Sequence, residues 1–282
     1  MFYQFHLNNA YKTGSDKHDH HKSQNERNVF LKLMRYHGFS ARDYLILDNI
    51  PISEEISVLE IGVGTGSTAE LIIGRVKEFC GVDISRELIE VLSATYRNNN
   101  SVNLYCLDVC SDASLGKRFD VIYSADTLEH VKQPKGFFNF IVRHLSFDGI
   151  AVVTFPNESE GKHHGITWFN NKIDLLMLID SVGLKVVNLS EVRGTIWHKI
   201  IRKCLWDLPK SLVSRQNMTI PPQTFEQTEA FQILQDRSIK AKFFSYYAKT
   251  ITTLAALFPL YDYFEVSEDI KNKILLIRLK HR

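Results

Sequence analysis

Three alternate glycines directly after a short apolar strand constrain the fold of this 282-residue chain more than any other feature. The strand-like run Val58–Ile61 leads into the loop Gly62–Gly66, and a helix-like segment begins at Ser67. Glycine tolerates positive φ and lets a ligand approach the backbone closely. The N-terminus of the helix offers free N–H groups and a partial positive charge. The stretch therefore predicts a strand–loop–helix unit that binds a ligand at the end of the strand.

A second strand, Phe79–Asp83, ends on a carboxylate that could hold a pair of ribose hydroxyls. Together with the glycine loop, this is the layout of a nucleotide-type cofactor site in a doubly wound α/β domain. The dinucleotide fingerprint Gly-x-Gly-x-x-Gly requires a third glycine where this chain has Ser67. The spacing therefore disfavours an NAD-dependent oxidoreductase.

Apolar segments of alternating helix and strand periodicity continue along the chain. They predict helices over 86–97, 137–145 and 172–182, and strands over 102–109, 119–124, 150–155, 184–189 and 273–279. Gly183 is the expected C-terminal stop of the third of these helices. Asp148-Gly149 is the expected turn before the fifth strand.

The pattern Glu60-x-Gly62-x-Gly64-x-Gly66 resembles motif I of the class I S-adenosylmethionine (SAM) methyltransferases. The later run Glu129-His130-Val131, followed by a helix, a turn and a strand ending in Pro156-Asn157, resembles the ubiquinone-type, small-molecule branch of that family. The resemblance covers roughly Val58 to Leu189 and continues at the final strand. It implies a Rossmann-like, seven-stranded, mostly parallel sheet with a reversed last strand, an N-terminal helical lid and a helical insertion before that strand.

The resemblance also implies which residues bind the cofactor. In the family the glycines make room for the methionine and ribose parts of SAM, and the acidic residue of motif I helps to order the loop. An acidic residue near the end of the third strand bonds the adenine amino group, while a neighbouring side chain packs on the ring. The implied cofactor-binding residues are Glu60, Gly62, Gly64, Gly66, Asp83, Ile84, Asp108, Val109 and Ser124.

Methyl transfer from a sulfonium is an in-line displacement in which the cofactor already carries a good leaving group. The protein must hold the acceptor in line, exclude water and, for a hydroxyl acceptor, remove a proton. Groups past the ends of strands four and five would lie near the methyl group, and histidine is a suitable general base near neutral pH. We therefore predict His130 and His164 as the catalytic residues.

A metal-dependent alternative uses the same region. On a helix, Asp126, Glu129 and His130 would share one face, and His163 or His164 could complete a divalent metal site. This set resembles that of the small-RNA terminal-ribose methyltransferases, although Asp126 replaces their first glutamate. Because Glu-His after strand four also occurs in metal-free members of the family, we expect no metal. A metal-dependent RNA ribose 2′-O-methyltransferase remains the alternative.

The same reading divides the chain into four parts. Residues 1–50 would form the helical lid, 51–195 the SAM-binding core, 196–270 an insertion that caps the substrate, and 271–282 the last core strand. The insertion holds aromatic residues such as Trp197 and basic residues such as Lys199 and Lys203. Over 196–258 these would suit peripheral contact with an anionic membrane. Packing against the core is the interpretation we favour, since amphipathic helices mostly face a core.

Composition limits the classes of function. The net charge of the chain is +2, which is less basic than is usual for nucleic-acid-binding proteins. The four cysteines form no CxxC pair, and we expect Cys80 and Cys106 to be buried as small apolar residues. No secretory signal or transmembrane run is evident, so we expect a cytoplasmic protein, with peripheral membrane contact as the variant.

The leading hypothesis is a SAM-dependent transferase of small-molecule biosynthesis that methylates a hydroxyl or amine of a metabolite, sugar or glycan precursor and releases S-adenosylhomocysteine. The alternatives are the RNA methyltransferase described above and a membrane-associated lipid or quinone O-methyltransferase. A non-enzymatic module that retains only the cofactor pocket is a further hypothesis from a different class. Fold alone does not choose among these acceptors.

Overall fold

Eight strands form a mixed sheet in the described part of the chain. The computed structural model describes residues 41–64, 66–158, 167–204 and 258–282. Predictions for the lid before residue 41, for Thr65, for His163 and His164, and for the insertion between 205 and 257 lie outside these residues. Contacts divide the chain into two compact units. The described parts of the first are 42–64, 66–158, 167–193 and 262–282, and those of the second are 41, 194–204 and 258–261.

The order of the strands fixes where a ligand can bind. The strands are β1 (Ser57–Ile61), β2 (Glu78–Asp83), β3 (Val102–Cys106), β4 (Phe119–Ala125), β5 (Leu145–Asn157), β6 (Leu184–Gly194), β7 (Tyr261–Glu265) and β8 (Lys273–His281). Their order in the sheet is β3-β2-β1-β4-β5-β8-β6-β7. β1 pairs in parallel with both β2 and β4, so the order reverses beside β1. Ligands bind at such a switch point, at the C-terminal ends of the strands.

The doubly wound, mostly parallel sheet with a reversed last strand is confirmed. β2 pairs with β3 and β4 with β5 in parallel, whereas β8 runs antiparallel to both β5 and β6. The predicted count of seven strands was one too low, because it missed the edge strand β7. β7 lies in the stretch assigned to the insertion. β7 is largely exposed, so it lacks the apolar run that marks the central strands.

The described helices are α1 (Ala41–Leu47), α2 (Ser67–Ile72), α3 (Arg86–Tyr96), α4 (Pro134–His144), α5 (Lys172–Ser181) and α6 (Ile196–Arg202). The hydroxyl of Ser85 caps α3 by accepting from Leu88 N, and the side chain of Asn171 caps α5. Gly183 follows α5 with φ 85°, as its predicted role as a stop requires. α4 begins three residues earlier than predicted, because Pro134 is accepted in a first helical turn.

The predicted turn at Asp148-Gly149 is a bulge inside β5 rather than a turn before it. Phe119 pairs with Leu145 but Val121 pairs with Ile150, so one residue of β4 faces four residues of β5. A Cβ on Gly149 would approach Leu145 Cδ1 to 2.8 Å and Ser146 O to 2.9 Å. The bulge therefore needs glycine at this position.

The core lies between the sheet and α4, which contributes four fully buried side chains: Phe137, Phe138, Phe140 and Ile141. Burial of each stabilises the fold by roughly 1.5–3 kcal/mol. Cys80 in the central strand β2 is buried as predicted, but the prediction for Cys106 was wrong. Cys106 is exposed because β3 is the edge strand of the sheet. Among the described residues, no helix combines the length and apolar character that a membrane span requires.

His144 is a fully buried histidine at the end of α4. Its Nδ1 lies 2.8 Å from Phe140 O, and its Nε2 lies 2.9 Å from Leu115 N. Because Leu115 N donates to Nε2, the ring is neutral, with its proton on Nδ1. Burial lowers the pKa of His144, and the positive charges of Arg143 and Arg118 lower it further.

Protonation of His144 is expected to destabilise the fold. The pKa in the folded state lies below the ordinary value of 6.5, so the stability contributed by the neutral ring is complete above that pH and is lost as pH falls through the folded-state pKa. His144→Leu removes the acceptor for Leu115 N and should cost about 1–3 kcal/mol at pH 8. In denaturant unfolding, this difference should shrink below pH 6.5. A difference independent of pH between 5 and 8 would contradict the lowered pKa of His144.

Candidate active site

The glycine loop is attached to the end of β2 by its backbone. The amides of Gly62 and Val63 both donate to Val82 O, at 2.8 and 3.0 Å, and Gly66 N donates to Val63 O at 2.9 Å. All three glycines have positive φ, at 77° for Gly62, 53° for Gly64 and 78° for Gly66. Each would be strained with any other residue, which explains the alternate spacing seen in the sequence.

The surroundings of the three glycines differ. A Cβ on Gly62 would lie 2.1 Å from Thr127 Oγ1, and one on Gly66 would lie 2.7 Å from Leu92 Cδ2. A Cβ on Gly64 would meet only Gly62 O, at 3.9 Å. Gly62 and Gly66 are therefore packed against the protein, whereas the side of Gly64 that a Cβ would occupy is open. A ligand can approach the backbone at Gly64.

Asp83 holds the middle of this loop. Its Oδ2 accepts from Gly64 N and its Oδ1 accepts from Ser85 N, both at 2.8 Å. Burial raises the pKa of Asp83, and the hydrogen bonds from the amides of Ser85, Gly64 and Ile84 oppose that rise. A carboxylate offers about four acceptor positions, so with these three amide donors one position remains for a ribose hydroxyl. Ile84 follows with 72% of its surface exposed, which provides an apolar face beside the carboxylate.

Glu60 is a buried carboxyl beneath the loop. Its Oε2 accepts from the hydroxyl of Tyr123 at 2.8 Å. Burial raises the pKa of Glu60 well above its ordinary value; the hydrogen bond from Tyr123 opposes this, and the charges of Asp43 and Asp83 add to it. Glu60 is buried, and its hydrogen bond with Tyr123 joins β1 to β4; its role in ordering the loop stays a prediction.

Asp43 on α1 is a site residue that the sequence did not indicate. Its Oδ1 accepts from Thr68 Oγ1 at 2.7 Å and from Ser67 Oγ at 3.1 Å, so it holds the first turn of α2. It is nearly fully buried. No local pattern could reveal this contact, because the partners are more than twenty residues apart in the chain.

Three further residues that we predicted to bind the cofactor lie in different environments. Asp108 is exposed in the loop beyond β3, and its Oδ1 accepts from Cys110 N at 2.9 Å. Val109 lies three residues beyond the end of β3, and its side chain is part of the hydrophobic core. Ser124 is fully buried, and its hydroxyl donates to Ile61 O at 2.9 Å. Ser124 therefore supports the strand that precedes the glycine loop, and its side chain does not face the open side at Gly64.

The predicted helical face after β4 was wrong. Asp126 has a left-handed backbone with φ 47°, and its amide donates to Thr154 O, so it ends the strand instead of starting a helix. Only Leu128–His130 is helical, as one 3₁₀ turn. Asp126 therefore does not share a helical face with Glu129 and His130. Positive φ in a non-glycine residue is uncommon and concentrates at functional sites.

Glu129 and His130 face different environments. Glu129 is 4% exposed, whereas His130 lies on the surface. Glu129 Oε1 is 3.6 Å from His130 Nε2. In the part of the chain that the structure describes, no group of three or more His, Cys, Asp or Glu side chains could hold a metal ion. His163, the fourth member of the alternative metal set, lies outside that part.

The residues that flank the stretch 159–166 are hydrogen-bonded beside the 3₁₀ turn Leu128–His130. Asn157 is fully buried; its Oδ1 accepts from Phe169 N at 2.7 Å and its Nδ2 donates to Phe169 O at 2.9 Å. Thr167 N donates to Glu129 O at 3.0 Å, and the Thr167 hydroxyl donates to Val131 O. The segments after β4 and β5 therefore meet, as expected for a site that both supply. The sequence marked Asn157 only as the end of a strand.

A comparison with known protein families agrees with this geometry. The family model described as "Methyltransferase domain" matches residues 28–185, more than half of the chain. The chain therefore belongs to the methyltransferase domain family, whose class I fold uses SAM as its cofactor.

Two relatives illustrate the range of that family. The malonyl-[acyl-carrier protein] O-methyltransferase of Acetivibrio thermocellus is 27% identical over 149 residues, which are 51% of this chain and 51% of that protein. A ubiquinone biosynthesis O-methyltransferase of Rickettsia canadensis is 25% identical over 104 residues, which are 36% of this chain and 44% of that protein. The chain thus spans about half the length of the curated relatives it matches.

Solved structures agree on the fold. The crystal structure of the [4+2]-cyclase SpnF has a TM-score of 0.51 at 13% identity, and the match covers 85% of this chain and 79% of that one. At this identity the likeness shows the fold alone.

Replacing Glu60 should flatten the pH dependence of stability. The pKa of Glu60 is raised in the fold, so its contribution to stability is complete below about pH 4.5 and is lost as pH rises through the folded-state pKa. Glu60→Gln retains an acceptor for Tyr123 and should gain about 1 kcal/mol or more in unfolding free energy at pH 8 relative to pH 5. Glu90→Gln on the exposed side of α3 is the matched control. Parallel pH profiles of Glu60→Gln and wild type would refute the burial argument.

Proposed function

We propose that this protein transfers the methyl group of SAM to an oxygen of a small-molecule acceptor. One observation carries the cofactor half of the proposal. Gly64 is open on the side that a Cβ would occupy, and its amide donates at 2.8 Å to the Asp83 carboxylate, which retains one further acceptor position. A ligand with a hydroxyl group and a flat ring next to it, as in a nucleoside, fits this combination with the exposed Ile84.

The residues of the site fit SAM in particular. Asp83 and Asp43 supply negative charge beside the loop, and both act on the buried Glu60. SAM supplies a cationic sulfonium that is both the methyl donor and the leaving group. We assign Gly62, Gly64 and Gly66 to shaping the loop, Asp83 to a ribose hydroxyl, and Asp108 to the adenine; this last assignment rests on the family resemblance.

The acceptor would lie past the ends of β4 and β5. His130 is exposed and follows Glu129 directly in the chain. Thr167, which lies three residues after His164, is hydrogen-bonded to the backbone of Glu129 and Val131. A base in this region can accept a proton from a hydroxyl held in line with the methyl group. We propose His130 and His164 as candidates for that role.

The names of the relatives favour oxygen over nitrogen as the acceptor atom. Both relatives described above are named O-methyltransferases, and their names refer to malonyl-[acyl-carrier protein] and to ubiquinone biosynthesis. Because this chain covers only about half of each, the acceptor itself is our proposal. The RNA alternative finds no support in the described geometry, since Asp126 does not share a helical face with Glu129 and His130.

Gly64→Ala is expected to abolish SAM binding without unfolding the protein. Its control is Gly74→Ala, because Gly74 has φ 84° and a Cβ there would meet no described atom within 4 Å. Both changes carry only the cost of a left-handed alanine, about 1–2 kcal/mol. In isothermal titration, Gly64→Ala should weaken SAM binding by at least about tenfold, which corresponds to 1.4 kcal/mol, while Gly74→Ala binds as wild type. Equal SAM affinity in the two variants would exclude the proposed site.

This pair is a sharper test than Asp83→Ala, although Asp83→Ala should also lose SAM binding. Removing the Asp83 carboxylate frees the amides of both Gly64 and Ser85, so a loss of binding could come from a deformed loop.

The acceptor class can be tested with methyl-labelled SAM and fractionated cell extract, with and without EDTA. We expect label to enter a small-molecule fraction regardless of EDTA, and Gly64→Ala to transfer none. Label that enters RNA and disappears with EDTA would instead support the metal-dependent alternative. SAM binding without transfer to any fraction would support a non-enzymatic binding module.

A further inference from the structure

The second compact unit carries an exposed apolar patch on α6 and the segment that packs beside it. The patch consists of Ile196, Trp197, Ile200 and Phe258. Ile196 has 69% of its surface exposed, and the other three are exposed by about 40%, at 39%, 42% and 39%. Single exposed apolar residues are common, but four large side chains together mark an interaction surface.

The patch is preformed by contacts within the unit. The rings of Trp197 and Phe258 stack with their centroids 4.3 Å apart and their planes 20° apart. Thr195 N donates to Leu260 O at 3.0 Å, and Thr195 Oγ1 donates to Pro259 O at 2.8 Å. Ile201 on the same helix is buried, with 7% of its surface exposed. The apolar residues are therefore held in place with their surfaces exposed.

The charged residues of the described stretches that carry the patch have one sign. The described stretches 194–204 and 258–261 contain Lys199, Arg202 and Lys203 but no aspartate or glutamate. The whole chain has 34 basic and 32 acidic residues, so this local bias is not a property of its composition. Lys199 and Lys203 are exposed and one helical turn apart. At 100° per residue, they form a basic stripe beside the apolar one.

We propose that this patch binds the surface of an anionic lipid bilayer. An amphipathic helix with tryptophan and aliphatic residues on one side and lysines at the edge suits the boundary between headgroups and acyl chains. Each lysine near an anionic surface adds to the affinity, and its aliphatic stem can lie along the apolar side chains.

The size of the patch favours lipid over a protein partner. A stable protein interface buries about 800 Å² on each side. α6 has seven residues, or about two turns, and presents three of the four apolar side chains. Lipid binding has no such minimum area, since apolar and electrostatic contributions accumulate residue by residue. The described stretches 194–204 and 258–261 also lack the carboxylates that would give the mixed charge typical of specific protein interfaces.

Flotation of the full-length protein with lipid vesicles tests the proposal. Vesicles of phosphatidylcholine are compared with vesicles that also contain phosphatidylserine, at low and at physiological salt. We expect binding only to the anionic vesicles, weakened by salt. Ile196→Ser with Ile200→Ser should reduce binding by about tenfold or more, and Lys199→Glu with Lys203→Glu by at least about thirtyfold.

Matched changes elsewhere control for general effects of charge and exposed apolar surface. Ile173→Ser with Met177→Ser removes two exposed apolar residues from α5, and Lys132→Glu with Lys185→Glu reverses two exposed lysines. Both should bind as wild type. Equal binding to neutral and anionic vesicles, equal losses in the control variants, or self-association that the patch variants abolish would each overturn the proposal. Because the assay needs neither SAM nor an acceptor, its result is independent of the proposed function.

Discussion

The hydrogen bond from Gly64 N to the Asp83 carboxylate is the contact on which the site depends. The loop from Gly62 to Gly66 leaves β1 through three left-handed residues, and its own backbone supplies one described hydrogen bond, from Gly66 N to Val63 O. Its other bonds run to the end of β2, at Val82 O and Asp83. The parallel pairing of β1 with β2 therefore brings the carboxylate to the loop. Without that register, the glycines would only add conformational entropy to the unfolded chain.

The sequence predicted those parts of the fold that are buried on both faces. β1, β2, β4 and β5 lie between helices, so they read as continuous apolar runs. The errors occur where burial ends. β7 is an exposed edge strand, and β3 stops at Cys106 because it is the opposite edge. Local pattern also cannot distinguish a bulge from a turn, which explains the error at Asp148-Gly149.

Local pattern also decides which residues of the candidate site could be predicted from the sequence. The glycines and Asp83 could be found because their function follows from local backbone geometry and from the end of a strand. Asp43 and the packing of Thr127 on Gly62 could not, since both connect residues far apart in the chain. The helical reading of Asp126 failed for a related reason: the bond from its amide to Thr154 O holds it in the left-handed region.

The electrostatics of the cofactor half explain why a cationic ligand suits it. Burial raises the pKa of Glu60 in the folded chain, and the charges of Asp43 and Asp83 raise it further. The same burial strengthens any interaction with an opposite charge. A cation bound over the loop would therefore stabilise the fold by offsetting the cost of burying these carboxyl groups. The segments after β4 and β5 are held instead by polar contacts of Asn157 and Thr167, which are separate from the contacts that hold the glycine loop.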